Sequence, residues 1–379
     1  MTTQTTGSTN ALLAAGVVGL AVSLGVALFK MMGEGHAAFN TTSDGMMWGL
    51  PVATYVFFVL TSTGLTFVAS LSMVFGLKDF YPIAKRCVWL AVATLVAGFA
   101  ALAFEIGHPF RMLWAIPASF QLTSPMNWMG VFYALYLVFL LLKFRKMHAQ
   151  DWDSAASRNL GIASFLAVVV AHSTLGLVFG MMAMRPFWYD GLIPIYFLAT
   201  ALVSGLAFAL LFTHLAHRST AAVPAPVRGL LAGSLPKLLA FAIAVVLLFS
   251  VMRTITGLWS NADGLEAFRW MVGSPWFWIE TGAYVAALLM MLSPGMRSGV
   301  GAQMLASVLV ILALFIGRYE YVIGGQVVPL FKGSWVPEFI AYTPSLTEWM
   351  LALLAVGITL TVYALGDRAL NLSAQPQAG

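Results

Sequence analysis

The stretch ALLAAGVVGLAVSLGVALF, Ala11 to Phe29, carries neither a charge nor a proline. A helix needs about 20 such residues, at 1.5 Å each, to cross a hydrocarbon core about 30 Å thick. Ahead of it, Met1 to Asn10 holds no Lys or Arg. A cleaved signal peptide would have a basic lead and a shorter apolar run, so a retained span is expected. Runs of the same kind recur. By hydropathy they fall at roughly 10–31, 49–76, 87–107, 126–144, 159–184, 190–214, 232–259, 275–293, 300–320 and 346–366.

The composition agrees with that reading. Of 379 residues, 60% are hydrophobic and only 9% charged, against about 45–50% and 25% in soluble proteins. A soluble globular enzyme is excluded. The expected fold class is an all-α integral membrane protein of about ten transmembrane helices. It forms one polytopic domain, with a first half over 10–217 and a second over 229–367. The single cysteine, Cys87, excludes a disulfide scaffold, a CxxC zinc site and a protein-ligated iron–sulfur cluster. A net charge of +5 with no basic run gives nucleic acid nothing to bind.

An even number of spans puts both termini on one side. That side takes most of the Lys and Arg, including Lys78, Lys85, Arg86 and the KFRK cluster Lys143–Lys146. The positive-inside rule therefore places the termini in the cytoplasm. The opposite face carries stiff aromatic loops: HPFRMLWAIP (His108–Pro117), MRPFWYDGLIP (Met184–Pro194) and VVPLFKGSWVPEF (Val327–Phe339). Such loops suit the headgroup level or the underside of a partner subunit.

An ionisable group inside a span costs about 2.5 kcal/mol or more, so each needs a partner or a task. Tyr55 lies about 10 Å, and His172 about 18 Å, from the outer ends of their spans at 1.5 Å per residue. Glu105 ends the third span. Together these three suit proton-coupled redox of a lipid-soluble quinone: donors for its oxygens, a histidine that titrates near neutrality, and a carboxylate at the mouth. Blander roles are a structural histidine, an ion pair of Glu105 with Arg111 or Arg185, and an interfacial anchor for Tyr55. In the second half, Arg253, Glu280 and Arg318 with Glu320 read first as a buried ion-pair network. A proton path or a second quinone site is the alternative. Haem needs paired axial ligands, and of the six histidines only His172 is deep, so neither haem nor a metal site is expected.

Several motifs resemble one family. FEIGHPFRMLW…QLTSPMNWMG (Phe104–Gly130) is similar to the D-x-G-R-P-x-R…T-S-P-M-S-W-G signature of the polysulfide-reductase membrane subunits, the NrfD/PsrC family. WGLPVATYVFFVLTSTG (Trp48–Gly64) and AHSTLGLVFGMMAMRPFWYDGLIPIYFLATALVSG (Ala171–Gly205) resemble its first core span and its later W-and-P-rich pair. YTPSLTEW (Tyr342–Trp349) resembles the lead into the last span of the ten-helix branch, which includes the quinone subunits of alternative complex III.

The resemblance implies two four-helix bundles plus two extra helices, with no prosthetic group in this chain. It implies a quinone/quinol-interacting subunit in a bacterial inner membrane rather than a complete enzyme. Such a subunit exchanges electrons between the menaquinone or ubiquinone pool and a periplasmic ferredoxin-like four-cluster iron–sulfur subunit. A further catalytic or cytochrome subunit lies beyond that. Residue by residue, Tyr55 matches a pocket-lining position and Glu105 an acidic one. His108, counted with them among the quinone-binding candidates, replaces an arginine, and Asn127 a serine. His172, with Ser173 beside it, stands where many members use a tyrosine to hydrogen-bond the quinone. A proton path is expected through Glu105, Arg253, Glu280 and Arg318, with the quinol arriving between the second, third and fifth spans. Two other classes remain open. A secondary transporter would show broken helices and inverted repeats. A non-catalytic membrane anchor leaves Glu105, His172 and Glu280 unexplained.

Overall fold

A computed structural model describes residues 7–42, 45–106, 114, 117–217, 223–260 and 262–376. Within them, ten helices are long and apolar enough to cross a membrane. They are α1 (Gly7–Glu34), α2 (Leu50–Met73), α3 (Tyr81–Glu105), α4 (Pro125–His148), α5 (Ala155–Gly180), α6 (Ile193–His217), α7 (Ser234–Trp259), α8 (Pro275–Leu292), α9 (Val300–Gly324) and α10 (Leu346–Ala369). No strand occurs among the described residues. The protein is an all-α, multi-pass membrane protein. In lipid a helix satisfies its own backbone, which is why hydropathy alone locates the spans.

Helices α2–α5 form one four-helix bundle and α6–α9 a second, while α1 lies along α10 and α10 against α3. The two bundles meet where α2 crosses α6. A Cβ on Gly64 would run into the Ala201 carbonyl, and one on Gly205 into the Gly64 backbone. Small residues let membrane helices approach closely and pack by dispersion. At the other side of the first bundle, Gly16 and Gly357 play the same part between α1 and α10. There Thr9 Oγ1 donates to Asp367 Oδ2 at 2.7 Å, so the start of α1 and the end of α10 lie on one face.

Most spans shift by a few residues from their sequence boundaries, and two of the shifts have a local cause. The second stops at Met73 because Gly76 takes φ +73° and turns the chain. The third starts at Tyr81, well before residue 87, with Pro82 in its first turn. Lys85 and Arg86, which read as loop charges, are buried helical residues. The chain after α10 covers them. Lys85 Nζ donates to the Leu370 carbonyl at 2.7 Å, and Arg86 reaches Ser373 Oγ at 2.9 Å and Asp367 at 3.7 Å. Lys143 is likewise buried, donating to Ser157 Oγ at 2.7 Å and to the Ser157 carbonyl at 3.1 Å.

On the opposite face, the YTPSLTEW motif is a capping device. Ser345 and Glu348 form a capping box at the start of α10. Glu348 also accepts from the Tyr342 hydroxyl at 2.5 Å, and Tyr342 accepts from the Leu50 N–H at 2.7 Å. Burial, then the neighbouring Glu348 carboxylate, raise the Tyr342 pKa, so the phenol stays a donor. The last span is thereby tied to the first turn of α2. A Cβ on Gly49 would overlap the Glu348 carboxylate, which explains the glycine before Leu50-Pro51.

Candidate functional site

Helices α2, α3, α4 and α5 leave a cavity of about 1030 Å³ toward the face opposite the termini. Its walls are apolar, with Phe99, Leu102 and Phe179 among them, and a few polar groups converge on it: Tyr55, Glu105, Asn127 and Tyr133. Ligand pockets for small organic molecules have this character: large apolar area and few, placed polar groups.

Tyr55 comes from the second turn of α2. Its hydroxyl lies 3.5 Å from Met129 Sδ, and its ring packs edge-on against Phe99, which packs in turn on Tyr133. Tyr133 is almost fully buried, so its hydroxyl needs a partner. That partner is His172 on α5, with Tyr133 Oη 3.0 Å from His172 Nδ1. Thr63 Oγ1 is 3.2 Å from the same nitrogen and already donates to the Val59 carbonyl at 3.1 Å. A hydroxyl has one proton. Thr63 can therefore act on Nδ1 as an acceptor whenever the ring carries a proton there. In that state Tyr133 can accept from the imidazole and turn its own O–H into the cavity.

Glu105 closes the outer end. It is buried, and its Oε2 has no hydrogen-bond partner among the described residues. His36, from the connection between α1 and α2, sits at the same mouth with Nε2 3.2 Å from the Glu105 carbonyl. A buried carboxylate oxygen left open toward a cavity is costly unless something else meets it.

The structure places several of the residues singled out from sequence as follows. Among the described residues, His172 does not line the cavity; Tyr133 stands between them, because α5 turns the imidazole toward α2 and α4. Ser173, one position on, is half-buried and off the cavity wall. Arg185 does not pair with Glu105. It donates to the backbone carbonyls of Val328 at 3.0 Å and Gly45 at 3.3 Å, tying two loops together. Arg111 and His108 lie outside the described residues. Reading by sequence misses Tyr133 and His36. A tyrosine in the run FYALYLVF has no charge to betray it, though its i, i+3 pairing with Tyr136 in so apolar a helix is a signal.

The second-bundle residues do not form the expected ion-pair network. No salt bridge joins Arg253 or Arg318 to an acid among the described residues. Arg253 donates to the Phe187 carbonyl at 2.7 Å and lies 4.4 Å from the Phe187 ring centre. Arg318 bonds Thr200 Oγ1 and lies 4.5 Å from the Phe197 ring centre. Aromatic faces partly replace acids as partners for these guanidinium groups. Glu280 on α8 lies against Gly317 of α9. Phe197 also touches His172, with ring centres 5.9 Å apart, so one side chain separates the first bundle's histidine from the second bundle's arginine.

Comparison with known proteins matches these features. The family described as Polysulphide reductase, NrfD matches residues 39–330. A selenate reductase subunit of Mesobacillus selenatarsenatis is 25% identical, over 90% of this chain and 89% of its own length. A putative dimethyl sulfoxide reductase membrane subunit of Halobacterium salinarum is 28% identical, over 95% and 91%. Protein NrfD of Escherichia coli is 25% identical over 46% of this chain and 62% of its own. The family match runs from the loop before α2 through α9 and takes in every residue lining the cavity except His36: this chain is a member of the NrfD polysulphide reductase family.

Proposed function

We propose that this chain is the quinone-reactive membrane subunit of a respiratory reductase complex. The observation that carries the reading is the apolar cavity of about 1030 Å³ with Tyr133, backed by His172, in its inner wall and Glu105 at its mouth. A menaquinone or ubiquinone ring fits such a space as substrate. One oxygen would meet the hydroxyls of Tyr55 and Tyr133, and the other would face Glu105.

In the reducing direction, Tyr133 gives its proton to the quinone oxygen and recovers one from His172 Nδ1, which passes from imidazolium to neutral imidazole. In the oxidising direction the same protons return, and Glu105 passes the second to the outer water. A histidine that hands a proton on through a tyrosine can serve both directions without moving. The electrons pass to or from a peripheral iron–sulfur subunit docked on the loop face. The relatives' names, subunits of selenate and dimethyl sulfoxide reductases, support a complex with a further catalytic subunit. The charge bias of the loops supports cytoplasmic termini in a bacterial inner membrane. Behind Phe197, Arg318, Glu280 and Arg253 extend a polar line into the second bundle, and protons crossing the membrane would use it.

Glu105→Gln tests the proton role. It keeps the shape of the side chain and removes its ability to carry a proton. Quinol oxidation by the purified complex is expected to fall about a hundredfold, while extraction shows the quinone still bound. An unchanged rate would remove Glu105 from the proton route.

A further inference from the structure

The cavity is larger than a quinone ring requires, since whole drug-sized ligands occupy about 300–1,000 Å³. It is also open sideways. Helices α3 and α4 pack on one another far less than α2 packs on α3 or α4 on α5. On α4, Val131, Leu135 and Val138 form an exposed stripe, with Val131 37% exposed. That stripe faces lipid. Val131 and Ala134 are exposed and also line the cavity, and Gly130 lines it beside them. On α3, Val96 lines the cavity and is 42% exposed, although Leu95 and Ala97 on either side of it are buried. Residues that belong both to a lipid-facing surface and to a cavity wall mark where the wall is interrupted.

The gap is small-sided and wholly apolar: Val96 on one rim, Gly130, Val131 and Ala134 on the other. A Cβ built on Gly130 meets nothing within 4 Å, so no neighbour needs the glycine for close packing. Val96 lies about 14 Å deeper than Glu105 at 1.5 Å per residue, in the hydrocarbon region. An opening there offers no hydrogen bond, so it suits a ligand part that wants none.

We propose that the α3–α4 gap is the route of the quinone's linear polyprenyl tail, with the first isoprene units inside the cavity and the rest in lipid past Gly130 and Val96. The proposal rests on the quinone reading above and moves the route away from the expected passage between α2, α3 and α5. It makes Gly130 and Ala134 determinants of which quinones the site accepts. Long-tailed quinones need the gap open, and a tail-less naphthoquinone does not.

The test uses the full chain in lipid nanodiscs, with Gly130→Trp and, separately, Ala134→Trp. Retained long-tailed quinone is measured by extraction and chromatography, and binding of a tail-less 1,4-naphthoquinone by calorimetry. The expected result is about a tenfold loss of retained long-tailed quinone, equivalent to about 1.4 kcal/mol, with tail-less affinity within about twofold. Val138→Trp, on the lipid stripe away from the cavity, should change neither. Unchanged retention in both variants, or equal losses for both ligands, would overturn the tail route. If the unmodified chain binds neither ligand, the quinone reading itself fails and takes the route with it.

Discussion

Tyr133→Phe is expected to reduce quinol oxidation about a hundredfold or more, the scale of a lost proton-transfer group, with little change in stability. The substitution keeps the ring that packs on Phe99 and deletes only the hydroxyl facing His172 Nδ1 at 3.0 Å. Without it, the histidine has no path to the cavity, because it lies behind the wall. His172→Ala should give a similar loss through the other member of the pair. The two changes together should cost little more than either alone, as groups acting as one unit do. Tyr136→Phe is the informative control. Tyr136 bonds Ser62 Oγ at 2.9 Å and Thr66 Oγ1 at 2.6 Å but does not line the cavity, so its loss should affect stability rather than turnover. Steady-state rates with a soluble electron acceptor separate the cases. A Tyr133→Phe complex with normal kcat would remove the relay.

The largest structural effect is expected from Gly64→Ala. Its added methyl would meet the Ala201 carbonyl, and backbone, unlike a side-chain tip, has no rotamer to escape into. Overpacking costs about 1–3 kcal/mol and occasionally more. A methyl driven between two backbones belongs at the top of that range, and Gly205→Ala should match it from the other helix. Because α2 touches both bundles, the outcome is separation of α2 from α6 rather than a local adjustment. Thermal unfolding in detergent should show a clear fall in Tm and poor recovery of folded chain. Gly130→Ala, with open space around it, should leave Tm unchanged. Equal behaviour of the two glycines would contradict the close approach.

Hydropathy makes the ten spans legible because lipid leaves a chain few alternatives. Side-chain partners are less legible. Lys85, Arg86 and Lys143 are charges, and charge reads as surface; only the covering of Leu370 and Ser373 and the turn at Ser157 show how the protein buries them. Tyr342 and Glu348 stand out as a motif, yet letters alone do not say that the glutamate caps α10 and, through Tyr342, holds α2. Tyr55 and Glu105 draw notice because a polar group at depth demands a reason. Tyr133 escapes notice because a phenol among phenylalanines and leucines looks like packing. The helix period can place His172 near α4 but cannot show which residue stands between it and the cavity.

Photolabelling tests the central claim most directly. The complex in nanodiscs would be irradiated with a photoreactive quinone carrying its reactive group on the ring, with and without excess native quinone, and digested for mass spectrometry. The account predicts label on the cavity segments of α3 and α4, at Leu95–Glu105 and Met126–Leu137, lost in the presence of competitor. Competed label confined to α7, α8 or α9, or no competed label at all, would contradict it.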